Sequence, residues 1–426
     1  MDTIFSLSTA YGKAGISVIR VSGNAAVDSC KKIAGFKPRT GQPVLKGLKD
    51  QNGELIDRAL ILFFETGASF TGETVVEYHL HGSIAVISKL LSELILQPNH
   101  REAKPGEFTR RALENNRLDI AQIEGLADLI NAETEAQRKQ ALRVFDGSIG
   151  KKVIEWRAYL IQAGSLIEVT IDFSEEDIPT GLIGRVLGLV TKTIVELEKE
   201  IDSTKLSERV RSGFEVAIIG TPNVGKSTLI NALAGREAAI TSKVAGTTRD
   251  VIEVRMDLNG LPVTFLDTAG LRETQNEVEI LGIKRARDRA ETADLRIFLT
   301  GEETLKEFIV KQELDIEIAS KGDLSGIGVS GLTGYGVPEL IDLVSEKLSK
   351  LALGAGIATN ERHRRAMIVS VGALKNCKKE LKRDVVRSEI AAEELRSGII
   401  ALETMVGSVG VEDLLDEIFA NFCIGK

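Results

Sequence analysis

The stretch that most constrains this chain is residues 215–235, EVAIIGTPNVGKSTLINALAG. Glu215 to Ile219 is a short apolar run, which reads as a buried strand. Gly220-Thr-Pro-Asn-Val-Gly225-Lys226-Ser227 follows, with Gly, Gly, Lys and Ser in each place that a phosphate-binding loop fixes. A helical stretch closing at Gly235 comes next. Strand, loop and helix in this order predict a parallel sheet with crossover helices. Glycine lets backbone N–H groups turn inward around phosphate oxygens, and the helix N-terminus adds partial positive charge. Lys226 is placed for the β- and γ-phosphates and the Ser227 hydroxyl for Mg2+. The alternative, a chance glycine-rich turn, does not account for the flanking strand and helix.

Three further segments belong to the same chemistry. AGTTRD supplies Thr248 as a second Mg2+ ligand. VTFLDTAG is a strand ending in Asp267-Thr268-Ala269-Gly270. There Asp267 would hold the Mg2+ shell through water and the Gly270 N–H would meet the γ-phosphate. DIEIASKGD ends in Ser320-Lys321-Gly322-Asp323, the pattern that reads guanine, with Ser where Asn is usual. An aspartate there accepts from guanine N1–H and the 2-amino group, which adenine lacks, so GTP is expected rather than ATP. Ser330-Gly331 stands where such GTPases have a Ser-Ala loop against the base. The GTP site is expected to draw on Asn223, Val224, Gly225, Lys226, Ser227 and Thr228, then on Ser242, Lys243, Val244, Ala245, Gly246, Thr247 and Thr248. Asp267, Thr268, Ala269, Gly270, Lys321 and Asp323 complete it.

Hydrolysis needs an oriented water. Ras-like enzymes place a Gln directly after DTAG; here the residue is Leu271. Asn223 is compatible with a monovalent cation near the phosphates, and K+ would supply the charge an arginine finger otherwise brings. Glu273, Glu277 and Glu279 are candidate water-orienting carboxylates, although for any one of them a solvated side chain is the better reading from the residues alone. Only TGEETLKEFIVKQE joins the strands expected at 294–299 and 314–319, so this G domain looks trimmed on one edge.

The rest of the chain divides by texture. Residues 1–116 mix strands (ISVIRVSG, RALILFFE, VVEYHLHG) with a helix in IAVISKLLSELIL. Residues 117–208 read as all-helical in three long segments, with the acidic loop DFSEEDIPTG between the last two. Residues 209–354 alternate strand and helix, and 355–426 are helical again. The α/β block therefore reads as inserted into a discontinuous helical domain. The formal net charge of −8 argues against a broad basic surface for nucleic acid. Cys30, Cys377 and Cys423 are scattered and form no CxxC, a reduced intracellular pattern. No apolar run is long enough to span a membrane, and the N-terminus does not read as a signal peptide, so a cytoplasmic protein is expected.

AGTTRD, DTAGLRET, PGEFTRRA, SFTGE and the terminal FCIGK, together with SFTGETVVEYHLHGS and PGEFTRRALENNRLDIAQIEGLADLI, resemble the MnmE (TrmE) tRNA modification GTPases over essentially the whole chain. The resemblance implies an α/β N-terminal folate-binding and dimer-forming domain, a split helical domain and an inserted Ras-like G domain. It implies a homodimer that works with the FAD-dependent protein MnmG, as a heterotetramer, on tRNA. The product implied is an aminomethyl-type group at C5 of the wobble uridine, its carbon drawn from 5-formyl- or 5,10-methylene-tetrahydrofolate. It implies K+-stimulated hydrolysis, with K+ on Asn223, Ser242, Val244 and Thr247, and Glu279 as the catalytic carboxylate. The folate positions match at Arg20, Glu77 and Lys426, while Arg117 stands where the family has Lys, which keeps charge but not geometry.

His79 and His81 share a strand face, as metal ligands or as ordinary packing. Trp156 reads as core. Glu361 to Ala366, ERHRRA, is a basic helix start, facing phosphate or solvent. A regulatory GTPase without substrate chemistry also fits AGTTRD and DTAG, but would append a basic RNA-binding domain; a one-carbon enzyme merely regulated by GTP is the third reading. FCIGK is a poor prenylation box, because Gly425 and Lys426 occupy its last two places. Leu414, Leu415, Ile418, Phe419 and Phe422 instead predict a helix that fixes the tail, bringing Lys426 to an anionic group and Cys423 close behind, either with a chemical role or as an inert thiol.

Overall fold

The computed structural model describes residues 2–172, 181–236, 239–240, 253–267, 288–301, 311–383, 385–407 and 425. The chain forms two compact units, residues 1–127 with 406–426, and residues 128–405. This grouping is drawn differently from the textural boundaries, which kept 355–426 together.

The first unit is built on β1 (Thr3–Leu7), β2 (Ala14–Ser22), α1 (Ala26–Ala34), β3 (Val44–Lys49), β4 (Leu55–Phe64), β5 (Val75–Gly82), α2 (Ile84–Ile95), β6 (His100–Glu102) and α3 (Glu107–Glu114). Its six-stranded sheet has the order β3-β4-β5-β2-β1-β6, antiparallel except for the β1–β6 pair. The alternation in VVEYHLHG sorts the two faces: Val76, Tyr78 and Leu80 are buried, while Glu77 and His79 are only partly covered and His81 is exposed. Cys30 and Ile33 of α1 and Ile87, Leu90 and Leu94 of α2 join Phe5, Ile19, Val21, Val76 and Tyr78 in one core. Helices therefore cover one face. The other face leaves Ile16 65%, Leu45 64% and Leu60 39% exposed.

The helical residues after 117 fall into four helices rather than three: α4 (Ile120–Asn131), α5 (Glu135–Phe145), α6 (Ser148–Asp172) and α7 (Leu182–Ser212). The extra break has a local cause. Thr134 is extended and caps α5, accepting from the Gln137 N–H while the Gln137 side chain accepts from the Thr134 N–H. The T-x-x-Q signature was readable in the sequence.

A five-stranded sheet follows, from β7 (Phe214–Gly220), β8 (Glu253–Leu258), β9 (Leu261–Asp267), β10 (Leu295–Thr300) and β11 (Ile316–Ala319). The order is β11-β10-β7-β9-β8, parallel but for the β8–β9 hairpin. α8 (Lys226–Ala234), the short α9 (Gly322–Ser325) and α10 (Val337–Ala352) accompany it. Residues 302–310 of the short β10–β11 connection lie outside the described residues. α11 (Glu361–Leu381) and α12 (Ser388–Glu403) then return to pack on α7 and α6 respectively. Trp156 is buried there, and its Nε1 donates to Glu196 of α7 at 3.0 Å. The basic helix start ERHRRA is not simply solvated: Arg362 donates to the Thr404 and Met405 carbonyls beyond α12, and His363 is fully buried.

Candidate functional site

The carboxyl ends of parallel strands are where an open α/β sheet binds its ligand. Here β7 ends at Gly220, β9 at Asp267, β10 at Thr300 and β11 at Ala319, all on one edge. The loop after β7 turns at Asn223, whose φ of 64° puts a non-glycine residue in the left-handed region that Asn tolerates best. Asn223 and Thr228 are exposed, Gly225 is partly exposed and Val224 is buried under the loop. Lys226 is buried, and its Nζ donates to the Gly220 and Thr221 carbonyls at 2.9 Å each, which bends the side chain back over the loop. Ser227 Oγ donates to Asp267 Oδ2 at 2.9 Å, and Asp267 is itself buried. β7 and β9 pair in parallel with Ile218 opposite Asp267, so sheet register alone delivers the carboxylate to the helix that carries Ser227. A hydroxyl and a carboxylate side by side form an oxygen-rich corner that fits Mg2+, at the end of the loop over which Lys226 folds.

The base-reading loop lies at the same edge. Lys321 has a φ of 55°, Lys321 and Asp323 are exposed, and Ser320 pairs with Val329 as an isolated parallel bridge. Gly331 is a point of close approach: a Cβ there would stand 2.5 Å from both Leu229 N and Thr228 C of α8. No side chain larger than glycine fits without moving the helix, which explains this departure from the Ser-Ala pattern. The predicted positions Ser242, Lys243, Val244, Ala245, Gly246, Thr247, Thr248, Thr268, Ala269, Gly270 and Glu279 lie outside the described residues.

In the first unit, Arg20 and Glu77 face each other in register on β2 and β5, with Nε–Oε1 at 2.9 Å. The Arg20 guanidinium lies over the Phe70 and Phe108 rings, 5.7 Å from each centroid. His79 Nε2 sits 3.3 Å from Glu77 Oε2, and His81 Nδ1 sits 2.8 Å from Asp57 Oδ1. Each histidine thus has a carboxylate partner, and no cluster able to hold a metal is found among the described residues. Arg117 is exposed and follows the left-handed Asn116, and its Cγ would be 3.2 Å from a Cβ at Gly72. The SFTGE and PGEFTRRA segments are locked together: Arg111 donates to Glu73 and to Asp2, and Ser22 donates to Glu73 at 2.7 Å. Hydrogen bonding from Arg101 holds the Asp2 carboxyl below its usual range.

The end of the chain reaches this unit. Gly425 is buried, with a φ of 99°, and its carbonyl accepts from Ser8 Oγ at 3.2 Å. Leu7 pairs with Ile19, the neighbour of Arg20 on β2. Cys423 and Lys426 lie outside the described residues.

Residues 120–423 match the MnmE helical domain family, and residues 3–117 match the GTP-binding protein TrmE N-terminus. The chain belongs to the MnmE tRNA modification GTPases. It is 53% identical over 429 aligned positions to the tRNA modification GTPase MnmE of Cereibacter sphaeroides, and 53% identical to that of Roseobacter denitrificans, with the full length of each chain covered. The Dinoroseobacter shibae MnmE is 52% identical, again over 100% of both chains. Among solved structures, the G domain of the T. maritima FeoB iron transporter is similar over 33% of this chain and 98% of that one, at 25% identity. The TM-score of that match is 0.23. No helix among the described residues is long and apolar enough to cross a membrane.

For this MnmE family member, GTP binding follows from the family, and Ser227 and Asp267 meet at the strand ends. What the sequence reading missed is the support around the first unit's polar face: Phe70 and Phe108 under Arg20, and Leu7 and Ser8 beneath Gly425. No spacing signal marks such contacts, because they join residues far apart in sequence.

Proposed function

We propose that this GTPase is K+-activated and works with an FAD-dependent partner of the MnmG kind. Together they install an aminomethyl or carboxymethylaminomethyl group at C5 of the tRNA wobble uridine, with a tetrahydrofolate as carbon donor. One observation carries this reading beyond GTP hydrolysis. The buried terminal Gly425 sits on β1, in the same sheet as Arg20 and Glu77. That seat supports a folate site made of Arg20, Glu77, Arg117 and Lys426, with cations for the glutamate tail and a carboxylate for the donors of the pterin. Cys423, two residues before Gly425, is a candidate for a chemical role at the same place.

In the G domain, Ser227 and Thr248 would hold Mg2+ directly and Asp267 through water, while Asn223, Ser242, Val244 and Thr247 would hold K+. Bound cations supply positive charge to the phosphate oxygens. The remaining work falls to the chain itself: Lys226 binds the phosphates, Asp323 reads guanine and Glu279 orients the attacking water. The exposed apolar face of the first sheet, where Leu45 and Leu60 stand opposite each other, suits a second copy of the chain. The textural boundaries, 1–116, 117–208, 209–354 and 355–426, are proposed as the functional domains.

The test is the wobble nucleoside itself. Cells lacking this protein should lose the aminomethyl-type C5 modification, and the full chain should restore it. A knockout with normal wobble uridines and a disturbed ribosome profile would instead indicate a regulatory GTPase.

A further inference from the structure

The start of α5 and the residue before its cap touch the sheet that binds nucleotide at two places. Asn259 and Gly260 form the turn between β8 and β9, with φ of 51° and 87°. Two residues with positive φ make this a hairpin turn of the Asn-Gly kind, rigid and in register with its strands. The Gly260 carbonyl accepts from the Ala136 N–H at 3.0 Å, a helix-start donor that the helix itself cannot satisfy. Beside it, Glu133 pairs with Arg255 of β8 at 3.4 Å. On the next residue of α5, Gln137 Nε2 donates to the Arg211 carbonyl at 2.8 Å, at the end of α7. Gly213 and then β7 follow directly.

The consequence is geometric. β7 and β9 are adjacent parallel strands, paired from Phe214–Val263 to Ile218–Asp267. Their starts are held by one helix end, through Arg211 and Gly260. Their far ends carry the phosphate-binding loop and Asp267, where Ser227 and Asp267 meet at 2.9 Å. β9 spans seven residues, about 20 Å at strand rise. Such a strand, hydrogen-bonded on both sides, transmits a displacement along its axis rather than absorbing it.

We propose that the α5 start is a positioning element for the nucleotide site: Ala136 N–H, Gln137 and Glu133 set where β9 stands relative to β7, and so align Asp267 with Ser227. Coupling is reciprocal, so a change at Asp267 between GTP and GDP reaches α5 and the helices packed on it. The hairpin joins residues 241–252 to 268–287 in sequence, the two segments in which phosphate-sensing residues were expected. The inference rests on GTP hydrolysis alone and is independent of the tRNA and folate chemistry.

Two variants of the full chain test it. Gln137→Glu keeps the capping interaction with Thr134, since a carboxylate accepts the same N–H, but sets an oxygen against the Arg211 carbonyl. Glu133→Arg breaks the surface pair with Arg255. Hydrogen exchange of residues 135–145 is compared with GDP and with a non-hydrolysable GTP analogue bound. The unmodified protein should show a nucleotide-dependent difference in α5, and Gln137→Glu should lose it while still binding both nucleotides. Glu133→Arg should lower kcat for GTP by roughly two- to fivefold with KM unchanged, and the swap Glu133→Arg with Arg255→Glu should restore it. Identical α5 exchange with the two nucleotides in the unmodified protein would overturn the proposal. So would full kcat in Glu133→Arg, or a swap that rescues nothing.

Discussion

Replacing Gly425 by Ala perturbs one carbon atom and should release the end of the chain. An ideal Cβ at this position stands 2.1 Å from the Leu7 carbonyl oxygen, 2.9 Å from its carbon and 3.0 Å from Ser8 Cα. Carbon and oxygen approach comfortably only to about 3.3 Å, so the tail or β1 must give by more than 1 Å. On the β1 side Leu7 is held by its pairing with Ile19 of β2, which resists the shift. The backbone φ of 99° adds a second cost. Holding an L side chain at positive φ costs about 1–2 kcal/mol, and the overlap about 1–3 kcal/mol more. At 1.4 kcal/mol per tenfold, docking of the tail weakens by about 30- to 3,000-fold. Carboxypeptidase should then trim the terminus faster, and wobble-uridine modification in cells should fail while GTP hydrolysis stays normal. Ser8→Ala removes only the 3.2 Å hydrogen bond, worth about 1 kcal/mol, and should give a milder form of the same defect. A Gly425→Ala protein with protected terminus and full modification would refute the seat as described.

Other outcomes follow from the same contacts. Lys226→Ala should abolish tight GTP binding, measured with a fluorescent GTP analogue, because no other cation sits within the 220–227 loop. K+ should stimulate hydrolysis where Na+ at equal ionic strength does not, and Glu279→Ala should slow turnover while sparing affinity. Gly331→Ala should lower the melting temperature and weaken guanine nucleotide binding together, since the new methyl meets the Thr228–Leu229 backbone at 2.5 Å. Burial pushes the Cys30 thiol up to about 11 and that of Cys377 to about 12. Both should resist thiol reagents at pH 8 until the protein is unfolded. The stability these neutral thiols contribute is complete below their ordinary pKa of 9.0 and is lost as pH rises toward 11–12. The urea midpoint should therefore fall across that window, less so in Cys377→Ala.

Local chemistry was legible wherever short spacing carries the physics. A phosphate loop needs its glycines, lysine and hydroxyl within eight consecutive residues, so Gly220 to Ser227 announced itself. Strand alternation likewise puts His79 and His81 on one face. The Thr134–Gln137 box was equally local, but lay inside a long apolar periodicity that reads as continuous helix. The four-helix outcome shows a cap overriding that periodicity.

Short-range pattern was enough to read a P-loop, a parallel sheet to hold it and a tail with Gly425-Lys426. Those features depend on neighbours within one turn or one strand, where covalent geometry leaves few alternatives. Packing in three dimensions is what brings Asp267 to Ser227, Arg20 over Phe70 and Phe108, and one helix end to the starts of β7 and β9. It alone set Gly425 on Leu7, 418 residues away in sequence. These contacts depend on sheet order and packing of many side chains at once, and no pair of residues announces such a meeting from its own neighbourhood.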